Sequence, residues 1–363
     1  MSTHNMKTAL FVATIILFNQ AALTAQIEKG VTSLGGTASF ENFKSNSLFS
    51  SPNYNTFNLS PTYGRFITDK IMIKGSIGIS TLNSRKDYYN FKQYDITIEV
   101  RYYFNRESTL KFFAGASVGL RTFTHSQGSF LSSRYSKFTN HDFHQSVYGG
   151  FNYFLNKEIA LEGTLGVSHA NISEGLFTRN LTNVYNTSIN LSLNNFVNFK
   201  SSDKDFEGLI SKGRTIIGGN FSLNRYSGKS YDYGLNSTYK QRGNYATLEA
   251  EYGKIVVNGL LIGARVNGVL GDNAKQFTVT PYAQYFYSVS KRLKVHAKAE
   301  FGYNISKYTN STTIKGGIGA TYFLSKNVAL NVDILNFSKT IFSNSTLKSN
   351  TTGSNIGLRF FLK

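Results

Sequence analysis

The nine residues Asn355-Ile356-Gly357-Leu358-Arg359-Phe360-Phe361-Leu362-Lys363 alternate in character. Ile356, Leu358, Phe360 and Leu362 are separated by Asn355, Gly357, Arg359 and Phe361. In a strand, side chains two residues apart share a face, so one face here is wholly apolar and the other mostly polar. The same pattern recurs along the chain. An apolar outside and a wet inside describe a β-barrel set in a membrane.

Residues 1–25 read as a secretory signal peptide. Lys7 supplies the charged start, Thr8 to Phe18 the apolar core, and the small residues around Ala25 a cleavage site before Gln26. That core is 11 residues, whereas a helix needs about 20 to cross a membrane. No other segment approaches the ~18 apolar residues of a helical span. The absence of Cys excludes a lipid anchor on cysteine and any disulfide. The chain has 30 Phe and 23 Tyr but only 16% charged residues. That suits a barrel whose polar groups lie in the lumen and loops. The net charge is +19, with 17 basic against 11 acidic residues in 26–200 and 21 against 9 in 201–363. The basic residues are scattered, which argues against nucleic acid. The expected partners are outer-membrane lipid, lipopolysaccharide phosphates and anionic solutes.

Sixteen strand candidates are bounded by Gly, Asn, Ser and Asp clusters. Eight fall before residue 200, at about 31–44, 54–68, 71–82, 91–105, 110–124, 138–156, 159–171 and 185–200. Eight follow, at about 215–227, 244–257, 260–271, 277–288, 293–307, 313–324, 328–339 and 355–363. In the fourth, Tyr94, Ile96, Ile98, Val100, Tyr102 and Phe104 point one way, and Asp95, Thr97, Glu99, Arg101, Tyr103 and Asn105 the other. A one-residue slip would place three charges in lipid, at about 2–4 kcal/mol for an Arg near the midplane, so the register is well determined. Short connections (68–70, 106–109, 156–158, 290–292, 325–327) alternate with long ones (82–90, 124–137, 172–184, 228–243, 340–354). Short turns belong to the periplasmic side, which puts both termini there. Phe66, Tyr102, Tyr103, Phe104, Tyr153, Phe154, Tyr322, Phe323, Phe360 and Phe361 cluster near these turns and read as an interfacial aromatic girdle.

The stretch Gly150-Phe151-Asn152-Tyr153-Phe154-Leu155-Asn156-Lys157-Glu158-Ile159-Ala160-Leu161 is similar to Gly319-Ala320-Thr321-Tyr322-Phe323-Leu324-Ser325-Lys326-Asn327-Val328-Ala329-Leu330, 169 residues later. Both halves end on aromatic, basic strands. This points to a duplication. On these residues each half resembles the small eight-stranded OmpA/OmpX-like outer-membrane barrels of Bacteroidetes style. The resemblance implies a cell outer-membrane location, an eight-stranded barrel in 26–200, a periplasmic linker in 201–214 and a second barrel in 215–363. It also implies that the barrel-assembly machinery reads Phe360 and Phe361, although the last residue is Lys363 rather than an aromatic. It implies no activity.

Sixteen strands can close as one barrel with an aqueous channel or as two small barrels with filled interiors. The long connection 201–214 and the near balance of inward charges favour two. In the first half Asp95, Glu99 and Glu162 face Arg101, Lys111 and Arg121. In the second, Glu249, Glu251, Glu300 and Asp333 face Arg265, Lys294, Lys298, Lys315 and Arg359. A closed core needs such pairing, because unpaired buried charges are costly.

The densest polar cluster is Asn140-His141-Asp142-Phe143-His144-Gln145-Ser146, with His125 nearby. Imidazole and carboxylate suit a metal, and His144-x-Ser146 resembles the motif of outer-membrane lipid A deacylases. Phe143, Val147 and Phe151 set the lipid face, however, so His144 and Ser146 point into the lumen, away from acyl chains. Polar residues at a wet rim explain the cluster without catalysis, as they do Asp87 and Asp95. His169 and His296 read as inward or loop packing. Gly316-Gly317-Ile318-Gly319 precedes no helix and reads as close strand packing. The basic, tyrosine-bearing loops around Arg134 and Lys137 and around Lys229 suit sugar or phosphate contacts. No cofactor and no metal site is expected. The expected role is non-catalytic, structural or surface-interacting. The alternative is a porin-like channel, anion-preferring through Lys294, Lys298, Lys315 and Arg359. An envelope hydrolase stands third.

Overall fold

The computed structural model describes residues 27–45, 54–84, 90–104, 109–129, 132–173, 181–196, 206, 208–232, 237–271, 275–306, 310–343 and 348–362. The expected signal peptide, most of the expected linker and Lys363 lie outside the described residues. The strands are β1 (Thr32–Ser45), β2 (Tyr54–Phe66), β3 (Ile71–Ser84), β4 (Asn90–Tyr103), β5 (Leu110–Ser129), β6 (Ser132–Phe154), β7 (Ile159–Ser173) and β8 (Leu181–Asn195). They continue as β9 (Thr215–Asp232), β10 (Ser237–Val257), β11 (Leu260–Gly271), β12 (Lys275–Ser288), β13 (Leu293–Ser306), β14 (Ser311–Phe323), β15 (Val328–Phe342) and β16 (Lys348–Leu362). No helix is long and apolar enough to cross a membrane.

All sixteen strands close into one antiparallel ring in chain order. This corrects the expectation of two tandem barrels. The joints are the reason. β8 pairs with β9 from Asn183↔Lys229 to Ser192↔Asn220, and β1 with β16 from Ser45↔Ser349 to Thr37↔Gly357. An open strand edge in lipid would leave a row of amides unsatisfied, and these two ladders close both joints toward the long-loop end.

The ring does not keep sixteen strands at every height. Toward the short-turn end β9 leaves β8 and pairs with β16, through Phe360↔Ile217, Phe361↔Ile216 and Leu362↔Thr215. β1 leaves β16 and is held to β8 by a side chain. The Leu34 amide donates to Asn195 Oδ1 at 2.9 Å, and Asn195 Nδ2 donates back to the Leu34 carbonyl. One wide ring therefore forks into two lobes of eight strands each. Glycines mark the fork. Gly36 (φ 106°) and Gly219 (φ 146°) adopt backbone that favours glycine. A Cβ on Gly36 would meet the Ser60 carbonyl oxygen at 2.1 Å, and one on Gly219 the Glu249 carbonyl oxygen at 2.5 Å. The two strands share a pattern not recognised in the reading above. Gly30, Thr32, Gly35, Gly36 and Ser39 recur 183 residues later as Gly213, Thr215, Gly218, Gly219 and Ser222.

Each lobe is narrowed toward its short turns by packed side chains. Phe66, Tyr103, Phe113, Phe154 and Phe196 pack in the first. Phe206, Ile216, Tyr282, Phe286, Phe323 and Phe361 pack in the second. The aromatic girdle expected near the short turns is thus corrected: Tyr102, Phe104 and Tyr322 do face outward, but Phe66, Tyr103, Phe154, Phe323 and Phe361 are inward plugs. Strand parity sends neighbouring aromatics to opposite faces. Between the lobes lies a third cluster of Ile159, Val328 and Phe360, flanked by Leu155, Leu193, Leu324 and Leu362. Three of its pairs, Leu155/Leu324, Ile159/Val328 and Leu193/Leu362, stand 169 residues apart, the offset of the sequence repeat.

The long loops are shorter than expected. β5 and β6 run to Ser129 and Ser132, β9 and β10 to Asp232 and Ser237, and β16 begins at Lys348. Hydroxyl pairs such as Thr124–Thr139, 3.3 Å apart, carry the β5–β6 ladder beyond the apolar belt. The belt itself follows the expected register. Ile96, Ile98 and Val100 on β4, Leu165 and Val167 on β7 and Phe301 on β13 are exposed. Such a surface is tolerable in lipid and an aggregation hazard in water.

Candidate functional site: two necks below a common ring

Inward residues form layers down each lobe. In the first lobe, β4 presents Asp95, Thr97, Glu99, Arg101 and Tyr103 in descending order toward the short turns. Arg101 is 4% exposed. Its guanidinium donates to Glu99 and, across the lumen, to Glu162 on β7. Its carbon stands 4.6 Å from the Phe113 ring and 5.6 Å from the Tyr148 ring. One cation thus bridges two carboxylates and two rings, which fixes the neck sterically and electrostatically. Lys111 is fully buried in the same region. A second layer sits above, where Arg121 reaches Asp95 at 3.2 Å and Asp142 at 3.6 Å.

The second lobe carries a larger network. Arg265 on β11 donates to Glu300 on β13 at 2.8 Å and lies 3.4 Å from Glu251 on β10. Lys298 contacts Glu300 at 2.9 Å and Asp333 at 2.8 Å. His296 Nε2 meets Asp333 Oδ1 at 3.0 Å. Arg359 donates to Gln284 at 2.6 Å and lies 3.4 Å from Glu251. Tyr282 donates to Glu251 at 2.7 Å. Lys294 sits at the bottom and donates to the Ser290 carbonyl at 2.7 Å. Glu249 and Lys315 are exposed. The ion pairs of these two networks each stay within one lobe.

Sequence reasoning identified these charges by parity but missed the neutral groups that seat them: Tyr103, Tyr148, Tyr282, Gln284 and the Phe113 ring. Their inward parity was readable. That they meet across the lumen was not, because the partners come from strands several hairpins apart.

Above the necks the lumen is lined by hydroxyls and amides, with Glu249, Lys315 and the Arg121 layer among them. Ser80 donates to Asn58 at 2.6 Å, Ser222 meets Thr247 at 2.7 Å, Thr278 donates to Asn304 at 3.1 Å and Thr313 meets Thr340 at 2.9 Å. His144 and Ser146 do face inward but do not bond each other. His144 Nε2 contacts Thr97 Oγ1 at 3.1 Å, and Ser146 Oγ meets Ser117 Oγ at 2.7 Å. His169 faces outward, not inward, and packs on Tyr185 at 4.7 Å. Among the described residues no three His, Cys, Asp or Glu side chains are placed to hold a metal ion.

The lobes are latched at the short-turn end. Ser325 Oγ and Asn327 Nδ2 both donate to Glu158 Oε2, at 2.7 and 2.9 Å. Arg214 donates to the carbonyls of Leu209 and Lys326 and stacks 5.5 Å from Phe361. Burial pushes the Arg214 guanidinium down to about 10, with Glu158 pulling the other way.

A closed ring of sixteen antiparallel strands, apolar outside and polar within, is a transmembrane barrel of the outer-membrane class. No protein-family model and no curated protein matches the chain. Solved structures do match. CdiB from Acinetobacter baumannii is 7% identical, with a TM-score of 0.46 over 91% of this chain and 60% of that one. The toluene transporter TodX of Pseudomonas putida is 10% identical, with a TM-score of 0.38 over 92% and 89%. The translocator domain of the autotransporter NalP from Neisseria meningitidis is 9% identical, with a TM-score of 0.32 over 98% and 95%. The chain spans less than two thirds of CdiB.

Proposed function

We propose that the protein is a passive outer-membrane channel for small uncharged polar solutes, with a wide common mouth feeding two parallel necks. The observation that carries this is the single sixteen-stranded ring at the long-loop end, since rings of that size leave room for an aqueous lumen. The mouth is lined by Ser, Thr and Asn, whose hydroxyls and amides can exchange hydrogen bonds with a hydroxylated solute. Of the residues read as giving an anion preference, Lys315 is exposed on the lumen face opposite Glu300. Lys298 and Arg359 are in ion pairs and Lys294 is bound to a turn carbonyl. In the second neck Arg265, Lys298 and Arg359 stand against Glu251, Glu300 and Asp333, so these six formal charges cancel and Lys294 is left over.

In this reading the halves arose by duplication of an eight-stranded unit. The repeated Gly-Gly fork and the seam of equivalent residues support it, because two copies meeting about a two-fold axis present the same patch to each other. The short turns and both termini face the periplasm, the chain is exported by its N-terminal signal, and Phe360 and Phe361 serve the assembly machinery.

The second reading is a closed barrel with a structural or surface-interaction role. The aromatic plugs and dry ion pairs favour it. Planar-bilayer recording of the refolded chain separates the two. The channel reading expects small steps with two current levels, one for each neck. A folded barrel that never conducts would sink it and leave the structural role.

A further inference from the structure

We propose a lipid-binding site on the outer wall at the β8–β9 joint, for the phosphate and one acyl chain of lipopolysaccharide. A groove of about 540 Å³ lies there, outside the lumen. Its floor is one row across four strands, Ile189, Leu223, Ala246 and Leu270, joined by the pairs Ile189↔Leu223, Ala246↔Leu223 and Ala246↔Leu270. Leu223 and Leu270 stand out from the wall, while Ala246 between them and the adjacent Gly271 do not. That difference in side-chain size makes the channel in which a chain can lie.

One pleat nearer the long loops runs a polar row of Thr187, Arg225 and Asn244, joined by Thr187↔Arg225 and Asn244↔Arg225. Arg225 is exposed on the lipid-facing side. Tyr185, exposed one pleat further up, marks the headgroup level. A cation directly above an apolar trough is complementary to an anionic headgroup above an acyl chain. An arginine facing lipid with no anion would otherwise have to snorkel. The site also has a place in the architecture. Its residues come from both sides of the β8–β9 ladder, so one lipid spans the joint between the first and second eight strands. Assignment to the outer leaflet rests on the orientation proposed above.

The test uses the full chain refolded in detergent, with bis-phosphorylated lipid A in mixed micelles as the probe and native mass spectrometry as the readout. Arg225→Gln and Ala246→Leu, the latter filling the trough, should each weaken lipid A binding about tenfold. Heat-modifiable migration should show that both variants still fold. Binding unchanged in both variants overturns the site. Displacement of lipid A by inorganic phosphate alone overturns the lipid assignment in favour of a free anion. Orientation is checked separately. The chain has no Cys, so Lys137→Cys carries the sole thiol, and an impermeant maleimide should label it on intact cells. Lack of labelling there overturns the outer-leaflet assignment, whatever the micelle result.

Discussion

Replacing Arg101 by Ala tests whether the first neck is held by its charges. Arg101 bonds Glu99 and Glu162, whose side chains are 16% and 7% exposed. Each contact contributes about 4 kcal/mol of gross attraction at an effective dielectric of ~20. Burying the guanidinium and both carboxylates costs several kcal/mol per ion, so the intact network is worth little net. Removing only the cation is different. It leaves two carboxylates without their common partner, at about 3–5 kcal/mol, and removes ring contacts with Phe113 and Tyr148 worth about 0.5–2 kcal/mol. Lys74 is the cation left near Glu99, which sets the cost at the lower end, about 3 kcal/mol. Urea unfolding in phospholipid vesicles, followed by tyrosine fluorescence and heat-modifiable migration, measures it. The triple variant Glu99→Gln, Arg101→Met, Glu162→Gln should lie close to wild type, because it removes the charges together. A loss below about 1 kcal/mol for Arg101→Ala would refute the claim that the neck depends on this pairing.

Gly36→Val should prevent assembly, since its Cβ would sit 2.1 Å from the Ser60 carbonyl oxygen; a normal yield of heat-modifiable barrel would contradict the fork geometry. Asn195→Ala removes both bonds to Leu34 and should cost about 1–3 kcal/mol, read in the same urea titration. Arg265→Ala should open the second neck alone, so that one of two current levels grows and the other stays; growth of both in proportion would deny separate necks. Ile159→Ala, at a fully buried seam position, should destabilise by about 2 kcal/mol or more, and unchanged stability would mean the lobes do not pack there.

Much of the barrel was legible because strand parity is local. β4 carried its own alternation, and Ile96, Ile98 and Val100, which it pointed outward, are exposed, whereas on β16 the apolar face that includes Phe360 and Leu362 packs in the seam between the lobes. The inward charges were found the same way. The pairing of Arg101 with Glu162 was not legible, since β4 and β7 are brought face to face only by closure of the lobe. Nor was the role of Phe66, Tyr103, Phe154, Phe323 and Phe361. Being close to a turn looks the same in sequence for a girdle and for a plug, and only parity relative to a closed lumen separates them. The Gly-Gly pattern at residues 35–36 and 218–219 was readable as a repeat, but its function as a fork depends on which strand lies alongside.

The amino-acid sequence alone determined that the chain crosses a membrane as strands, about where those strands lie and which side chains of each share a face. These follow from a period-two pattern and from the cost of an unpaired amide or a charge in hydrocarbon, both of which act within a single strand. The tertiary structure decided how many strands close at each height. β9 can bond to β8 or to β16, and β1 to β16 or to β8, with the same backbone groups. That choice rests on meetings made only on closure: Asn195 with the Leu34 backbone within the first half, and across the halves Glu158 with Ser325 and Asn327 and the seam that Leu155 and Leu324 share. No local pattern encodes such meetings, because their energy exists only once the ring has closed.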